Sequence, residues 1–150
     1  MIRIKFSALL KDFAFFRQTE HNSGRWKDAV FFQDDSTETA DGWLVYDALE
    51  APATLKVSRS KIIFMTGEPE SVKRYNPEFL AQFGRVITTH RYLKGSNIEQ
   101  GPPFLPWLVG WTARGPSQTN PCSYEDLISM RPRVKSDLIS VVVSSKTITR

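Results

Sequence analysis

Two short apolar runs, Trp43-Leu-Val-Tyr46 and Ile62-Ile-Phe-Met65, constrain this chain most. Neither contains a charged or strongly polar residue. A strand with one face in water alternates apolar and polar residues, whereas an unbroken apolar run of this length fits a strand covered on both faces. Coverage on both faces is the habit of parallel sheets, whose crossover connections lie over the sheet. Other segments join the pattern. Ile2–Phe6 alternates and reads as a first strand, Ala29–Phe32 as a second, and Val86–Thr89 as a later one. Between the last two inner strands, Asn76-Pro77-Glu78 has the order of an N-cap, a proline at the first helical position and an acid in the first turn. The spacing of Phe79, Leu80 and Phe83 predicts a helix over Asn76–Phe83, closed by Gly84. Ser123-Tyr-Glu-Asp126 resembles a capping box ahead of Leu127, Ile128 and Met130. Gly95–Pro103 reads as loop, and Leu138–Val143 as the last and strongest strand. Strands alternating with short helices define an α/β fold with a mostly parallel sheet.

With 150 residues the chain has the length of one ordinary domain. Its net charge of +4 is well short of a nucleic-acid footprint. The charge is uneven. Residues 28–50 hold seven acids and no Lys or Arg, and residues 131–150 hold five basic residues and one acid. A solvated acidic face and a basic tail account for this; an anion site completed near the C-terminus is the sharper alternative. Cys122 is the single cysteine, so an internal disulfide is excluded, and His21 and His90 are too far apart in sequence to form a metal pair. The first sixteen residues are interrupted by Lys11 and Asp12 and match neither a signal peptide nor a membrane span, so a cytoplasmic location is expected.

In parallel sheets, ligands meet the carboxyl ends of the strands. Asp47, Thr66-Gly67-Glu68 and His90-Arg91-Tyr92 all follow strands and are placed at such ends. Four segments then resemble one family: SGRWKDAVFF (Ser23–Phe32), ADGWLVYDAL (Ala40–Leu49), TGEPESVKRYNPEFLAQFGRVITTHRYLKG (Thr66–Gly95) and DLISVVVSSKTIT (Asp137–Thr149). Together they are similar to the N-terminal half of glycosyltransferase family ten, the α-1,3/α-1,4-fucosyltransferases and their bacterial relatives. The third segment is the most specific.

The resemblance implies a GT-B enzyme, with two Rossmann-like domains facing across a cleft. The N-terminal domain receives a glycan acceptor and the C-terminal one holds the GDP-fucose donor. It implies inversion at the anomeric carbon and, in the Thr-Gly-Glu turn, Glu68 as general base. Gly67, Arg74, His90, Arg91 and Tyr92 are the candidate acceptor-binding residues. No metal and no cofactor within the chain are expected. On this reading residues 1–136 are the acceptor domain. Residues 137–150 are the hinge and first strand of a donor domain that the chain lacks, so the chain alone would be inactive.

A carboxylate suits the role because an acceptor hydroxyl must lose its proton as the new bond forms. Gly67 permits an abrupt turn after the strand, and Pro69 biases Glu68 towards an extended backbone. Glu70 is the rival base. Lys73 and Arg74 either orient an acceptor or solvate a loop. Trp26 and Trp43 are expected to pack the core, and the apolar Pro102–Trp111 stretch to serve as core or lid. Leu138–Val143, with no helix after it, invites edge pairing or self-association. Two other functions remain open: a non-catalytic glycan- or protein-binding module, and a homologue that transfers a different sugar.

Overall fold

The computed structural model describes residues 1–9, 14–33, 36–102, 104 and 122–130. The expected strand Leu138–Val143, the segment 137–150 and most of the apolar stretch after Pro102 lie outside the described residues. Seven strands form one sheet: β1 (Ile2–Ala8), β2 (Arg25–Trp26), β3 (Ala29–Phe32), β4 (Gly42–Tyr46), β5 (Ile62–Met65), β6 (Arg85–Thr88) and β7 (Ile98–Gln100). Their order across the sheet is β2-β3-β1-β4-β5-β6-β7. Every pairing is parallel except β2 with β3, an antiparallel edge. The chain is therefore an α/β fold with a mostly parallel sheet and little helix. Among the described residues, no helix is long and apolar enough to cross a membrane.

Register sorts the side chains by face. Lys5 sits opposite Trp43, Val45 opposite Phe64, and Phe64 opposite Val86, so these share one face. That face carries the core, where Trp43, Val45, Phe64 and Val86 pack with Tyr75, Leu80, Phe83 and Leu93. Phe64 is its centre. Its ring centroid lies 5.4 Å from those of Tyr75 and Phe79 and 4.8 Å from that of Phe83. On the other face Phe6 meets Phe15 at 4.7 Å, and Phe15 meets Tyr46 at 5.9 Å.

The connections cover opposite faces. The chain leaving β1 covers the Phe6 side through Phe15 and Phe16. The chain leaving β4 covers the Trp43 side through Leu49, Leu55 and Val57. Neighbouring strands β1 and β4 thus send their connections to opposite faces, which is the topological switch point where α/β sheets open a crevice.

Helix α1 is Pro77–Leu80, one turn, with Asn76 Oδ1 accepting from the Glu78 amide at 2.8 Å. The cap stands where the sequence placed it, but the helix is four residues shorter than Asn76–Phe83 at its widest reading. The cause is tertiary. Gly84 N–H donates to the Ile62 carbonyl at 3.0 Å, and a Cβ on Gly84 would overlap the Arg59 carbonyl and lie 2.7 Å from Ser60 Cα. The chain must turn tightly there to enter β6, and a longer helix could not.

The expected loop at Gly95–Pro103 contains β7, a three-residue edge strand whose carboxyl end continues as a Gly101 amide bonded to the Thr88 carbonyl at 2.9 Å. Helix α2 (Tyr124–Ser129) has the full capping box: Ser123 Oγ accepts from the Asp126 amide at 3.0 Å, and Asp126 Oδ2 accepts from the Ser123 amide at 2.8 Å. Trp43 packs in the core as expected, but Trp26 is 59% exposed on the short antiparallel edge.

Candidate functional site

Parallel strands end together, and here the ends of β4, β5 and β6 gather Asp47, the Thr66–Glu68 turn and His90. Thr66 and Thr88 are buried, and the Thr66 hydroxyl donates to Thr88 Oγ1 at 3.1 Å. The same Thr88 oxygen accepts the His90 amide at 3.0 Å. The imidazole of His90 is fully buried, with its Nε2 2.7 Å from the Glu68 carbonyl oxygen. A carbonyl only accepts, so Nε2 carries a proton; Nδ1 is buried with no hydrogen-bond partner among the described residues. Gly67 N–H donates to Asp47 Oδ1 at 3.3 Å. The turn is therefore held at Thr66, Gly67 and the Glu68 carbonyl.

Gly67 is required for a steric reason. A Cβ there would stand 2.9 Å from the Tyr46 ring and hydroxyl and 3.0 Å from Asp47 Cβ. The Glu68 side chain, by contrast, is exposed and makes no hydrogen bond or ion pair among the described residues. Its neighbour Glu70 is engaged, pairing with Arg74 at 3.3 Å. Arg74 in turn lies 5.1 Å above the Tyr92 ring. Tyr92 Oη accepts the Tyr75 amide at 3.0 Å, which ties the β6 exit to the segment before α1. Arg91 is exposed.

The sequence placed Asp47 at a strand end but gave no sign of what it meets. Asp47 takes a left-handed backbone (φ 61°), tolerable for Asp, and its carboxylate collects three donors. These are Tyr75 Oη, Lys73 Nζ at 3.1 Å and the Gly67 amide. Lys73 also reaches the Asp47 carbonyl at 3.2 Å. Burial pushes the Asp47 carboxyl up, but the Tyr75 and Lys73 hydrogen bonds and the Lys73 charge outweigh it and hold the group below its usual range. Burial first, then the Asp47 hydrogen bond and charge, raises the Tyr75 phenol. Burial, reinforced by the charges of Asp47 and Glu68, pushes Tyr46 up to about 12. Asp47 is thus a saturated, weakly basic carboxylate, and Glu68 an unengaged one.

The depressed Asp47 group carries a pH dependence. A carboxyl whose folded pKa lies below its unfolded value stabilises at neutral pH. That contribution is lost as pH falls through the ordinary carboxylate range near about 4. Asp47→Asn should be less stable than wild type at neutral pH, with the gap closing on acidification. Urea midpoints measured across pH give the check; a gap that stays constant would remove the ion pair from the account.

Beside this cluster lies a cavity of ≈600 Å3 over the core face. Asp47, Lys73, Arg74 and Tyr75 line its polar side, and Trp43 and Phe79 its apolar side. Of the residues expected to bind an acceptor, only Arg74 is in its lining. Gly67, His90, Arg91 and Tyr92 are at the same sheet edge but outside it, as is Glu68. His90, being fully buried, meets the site through the Glu68 carbonyl and through its ring, whose centroid lies 5.1 Å from that of Tyr75. Among the described residues no group of three or more His, Cys, Asp or Glu side chains is placed to hold a metal ion. No family model, curated protein or solved structure matches the chain.

Proposed function

We propose that the chain is the Rossmann-like acceptor domain of an inverting GT-B glycosyltransferase that moves fucose from GDP-fucose to a glycan hydroxyl, with Glu68 as general base. The observation that carries the reading is the contrast within the Thr66-Gly67-Glu68 turn. The backbone is held on both sides of Glu68, while the carboxylate is exposed and unpaired at the carboxyl edge of the sheet. A general base needs this combination of fixed origin and free acceptor oxygens.

In the proposed step the acceptor oxygen forms its bond to the anomeric carbon as the bond from that carbon to the diphosphate breaks. The acceptor proton passes to Glu68 and the electron pair leaves with GDP. The anomeric carbon passes through an oxocarbenium-like state. The charge on the leaving diphosphate calls for positive groups on the donor domain. Tyr46, kept protonated and close enough to feel the Glu68 charge, is a neighbour that can donate to the acceptor or to the carboxylate. Arg74 and the aromatic side of the adjacent cavity supply a surface for the rest of the glycan.

One observation favours the rival, a glycan-binding module without catalysis: the ≈600 Å3 cavity does not include Glu68 in its lining. A transfer reading requires the acceptor to leave that cavity towards Glu68. The two readings share a test on the 150-residue chain. Saturation-transfer NMR against a panel of oligosaccharides should show contact with sugar protons, and calorimetry should show no GDP binding. Micromolar GDP binding by this chain would overturn the division of labour between two domains. Oligosaccharide contact that is unaffected by Phe79→Ala or Arg74→Ala would move the glycan away from this cavity.

A further inference from the structure

The charged side chains around the ≈600 Å3 cavity are already matched. The Asp47 carboxylate takes its donors from Tyr75, Lys73 and Gly67. The Lys73 ammonium is bonded to Asp47 and stands 4.9 Å from the centroid of the Tyr75 ring. Arg74 pairs with Glu70 and lies over Tyr92, and Glu50 is engaged as well. A charged ligand would lose water here without meeting an unmatched partner, which is costly. Among the described residues the side-chain hydrogen-bonding capacity left in the lining is that of two neutral amides. Asn76 Oδ1 is taken by the Glu78 amide, but its NH2 group is free, and Gln82 makes no hydrogen bond. Both amides come from α1 and its flanks. The wall supplied by the β4 exit is, apart from Glu50, Leu49 and Ala51-Pro52-Ala53, which bring no polar side chain. A sugar carries hydroxyls around its whole rim, so a pyranose seated here would turn polar groups to an apolar wall.

The apolar side is aromatic. Phe79 is 39% exposed, although its ring meets Phe64 at 5.4 Å and 86° and Phe83 at 5.2 Å and 73°. It carries the edge-to-face array of the core out to the cavity lining, with ring surface left for one more member. From this arrangement we infer that the cavity takes an uncharged aromatic group, packed on Phe79 with one polar edge turned to Asn76 and Gln82. On the transfer reading this group is the aglycone of the acceptor, whose sugar extends past Asp47 towards the Glu68 turn; the ring site itself does not rest on that reading. Asp47 is where the two meet, since it lines the cavity and accepts the Gly67 amide.

Four β-D-glucosides test the inference on the 150-residue chain. The 4-nitrophenyl glucoside should bind saturably, with a dissociation constant of about 1 mM or tighter, and saturation-transfer NMR should place the strongest contact on its aryl protons. The methyl glucoside should bind at least about tenfold more weakly, and so should the 4-carboxyphenyl glucoside, which has the same shape and a negative charge. The octyl glucoside, kept below its micelle concentration, offers a flexible chain in place of the ring and should also be weaker. Phe79→Ala should weaken the 4-nitrophenyl glucoside at least about tenfold. Ala51→Phe, at an exposed loop position in the lining, should do the same by filling the space.

Absence of saturable binding by the 4-nitrophenyl glucoside overturns the inference. So does equal affinity for the methyl glucoside, tighter binding of the carboxyphenyl or octyl compound, or full affinity in both variants. If Phe79→Ala does not fold, Ala51→Phe decides. Aryl contact without any contact at the sugar protons upholds the ring site and counts against the transfer reading. Sugar contact that ignores the aglycone overturns the ring site and leaves the transfer reading standing.

Discussion

Under the proposed transfer function, Glu68→Gln in a two-domain form of the protein should lower turnover by about 10²–10⁴-fold, the usual worth of a positioned general base. The substitution keeps the shape of the side chain and leaves the clamp intact, because His90 bonds the Glu68 carbonyl and not its carboxylate. Donor affinity should hardly change. Glu70→Gln is the control. It removes an exposed pair with Arg74 at 3.3 Å, an interaction worth at most about 0.5 kcal/mol in this i,i+4 setting. Transfer should survive that change. Loss of transfer in Glu70→Gln with near-normal rates in Glu68→Gln would mean the base is placed two residues too early. Full activity in both would return the turn to a structural role and favour the binding module.

The second large effect concerns stability. Phe64→Ala should cost about 3–5 kcal/mol, the range for emptying an aromatic site in a core that cannot collapse. Phe64 is fully buried on β5 with parallel neighbours on both sides and three aromatic rings within 5.4 Å. Phe79→Ala, at a ring that is 39% exposed, should cost distinctly less. Urea unfolding gives both numbers, provided the slope with denaturant is unchanged between variants. A loss below about 1 kcal/mol for Phe64 would be typical of a surface position and would displace it from the centre of the core.

The parts of this fold that could be read from the sequence are those written locally. Trp43–Tyr46 and Ile62–Met65 are unbroken apolar runs because both faces of β4 and β5 are covered, so residue type alone marks them. The Asn76 cap and the Ser123–Asp126 box are legible because the partners in each are two or three residues apart. Strand β7 is not legible. Ile98-Glu-Gln100 has one apolar residue, and it is a strand because β6 presents a free edge to it. The one-turn length of α1 is equally hidden, since its limit is the backbone of Arg59 and Ser60, far upstream. The candidate site divides the same way. Glu68 stands out through its Gly and Pro neighbours. The cluster of Asp47, Lys73 and Tyr75 joins the exits of two segments, and nothing in the spacing of these residues foretells it. Lys5 is equally illegible: in an alternating first strand it reads as a solvent-facing residue, yet it is buried, with its ammonium reaching the Thr37 carbonyl.

The position of β1 has a consequence for how the molecule is made. Ile2 pairs with Ala29 on one side, and Ile4 pairs with Gly42 on the other. Of the seven described strands β1 comes first in the sequence, yet it is bracketed by strands that arrive later, and its pairing with β4 forms across β3 and its whole connection. Neither pairing can nucleate from a hairpin, because parallel neighbours are joined only by crossovers. Pairing at β1 therefore waits for β3 on one edge and for β4 on the other. Until Phe32 has been added Ile2–Ala8 has neither partner, and until Tyr46 one of its edges stays unpaired, so a chaperone or a second nascent chain has its best opportunity then.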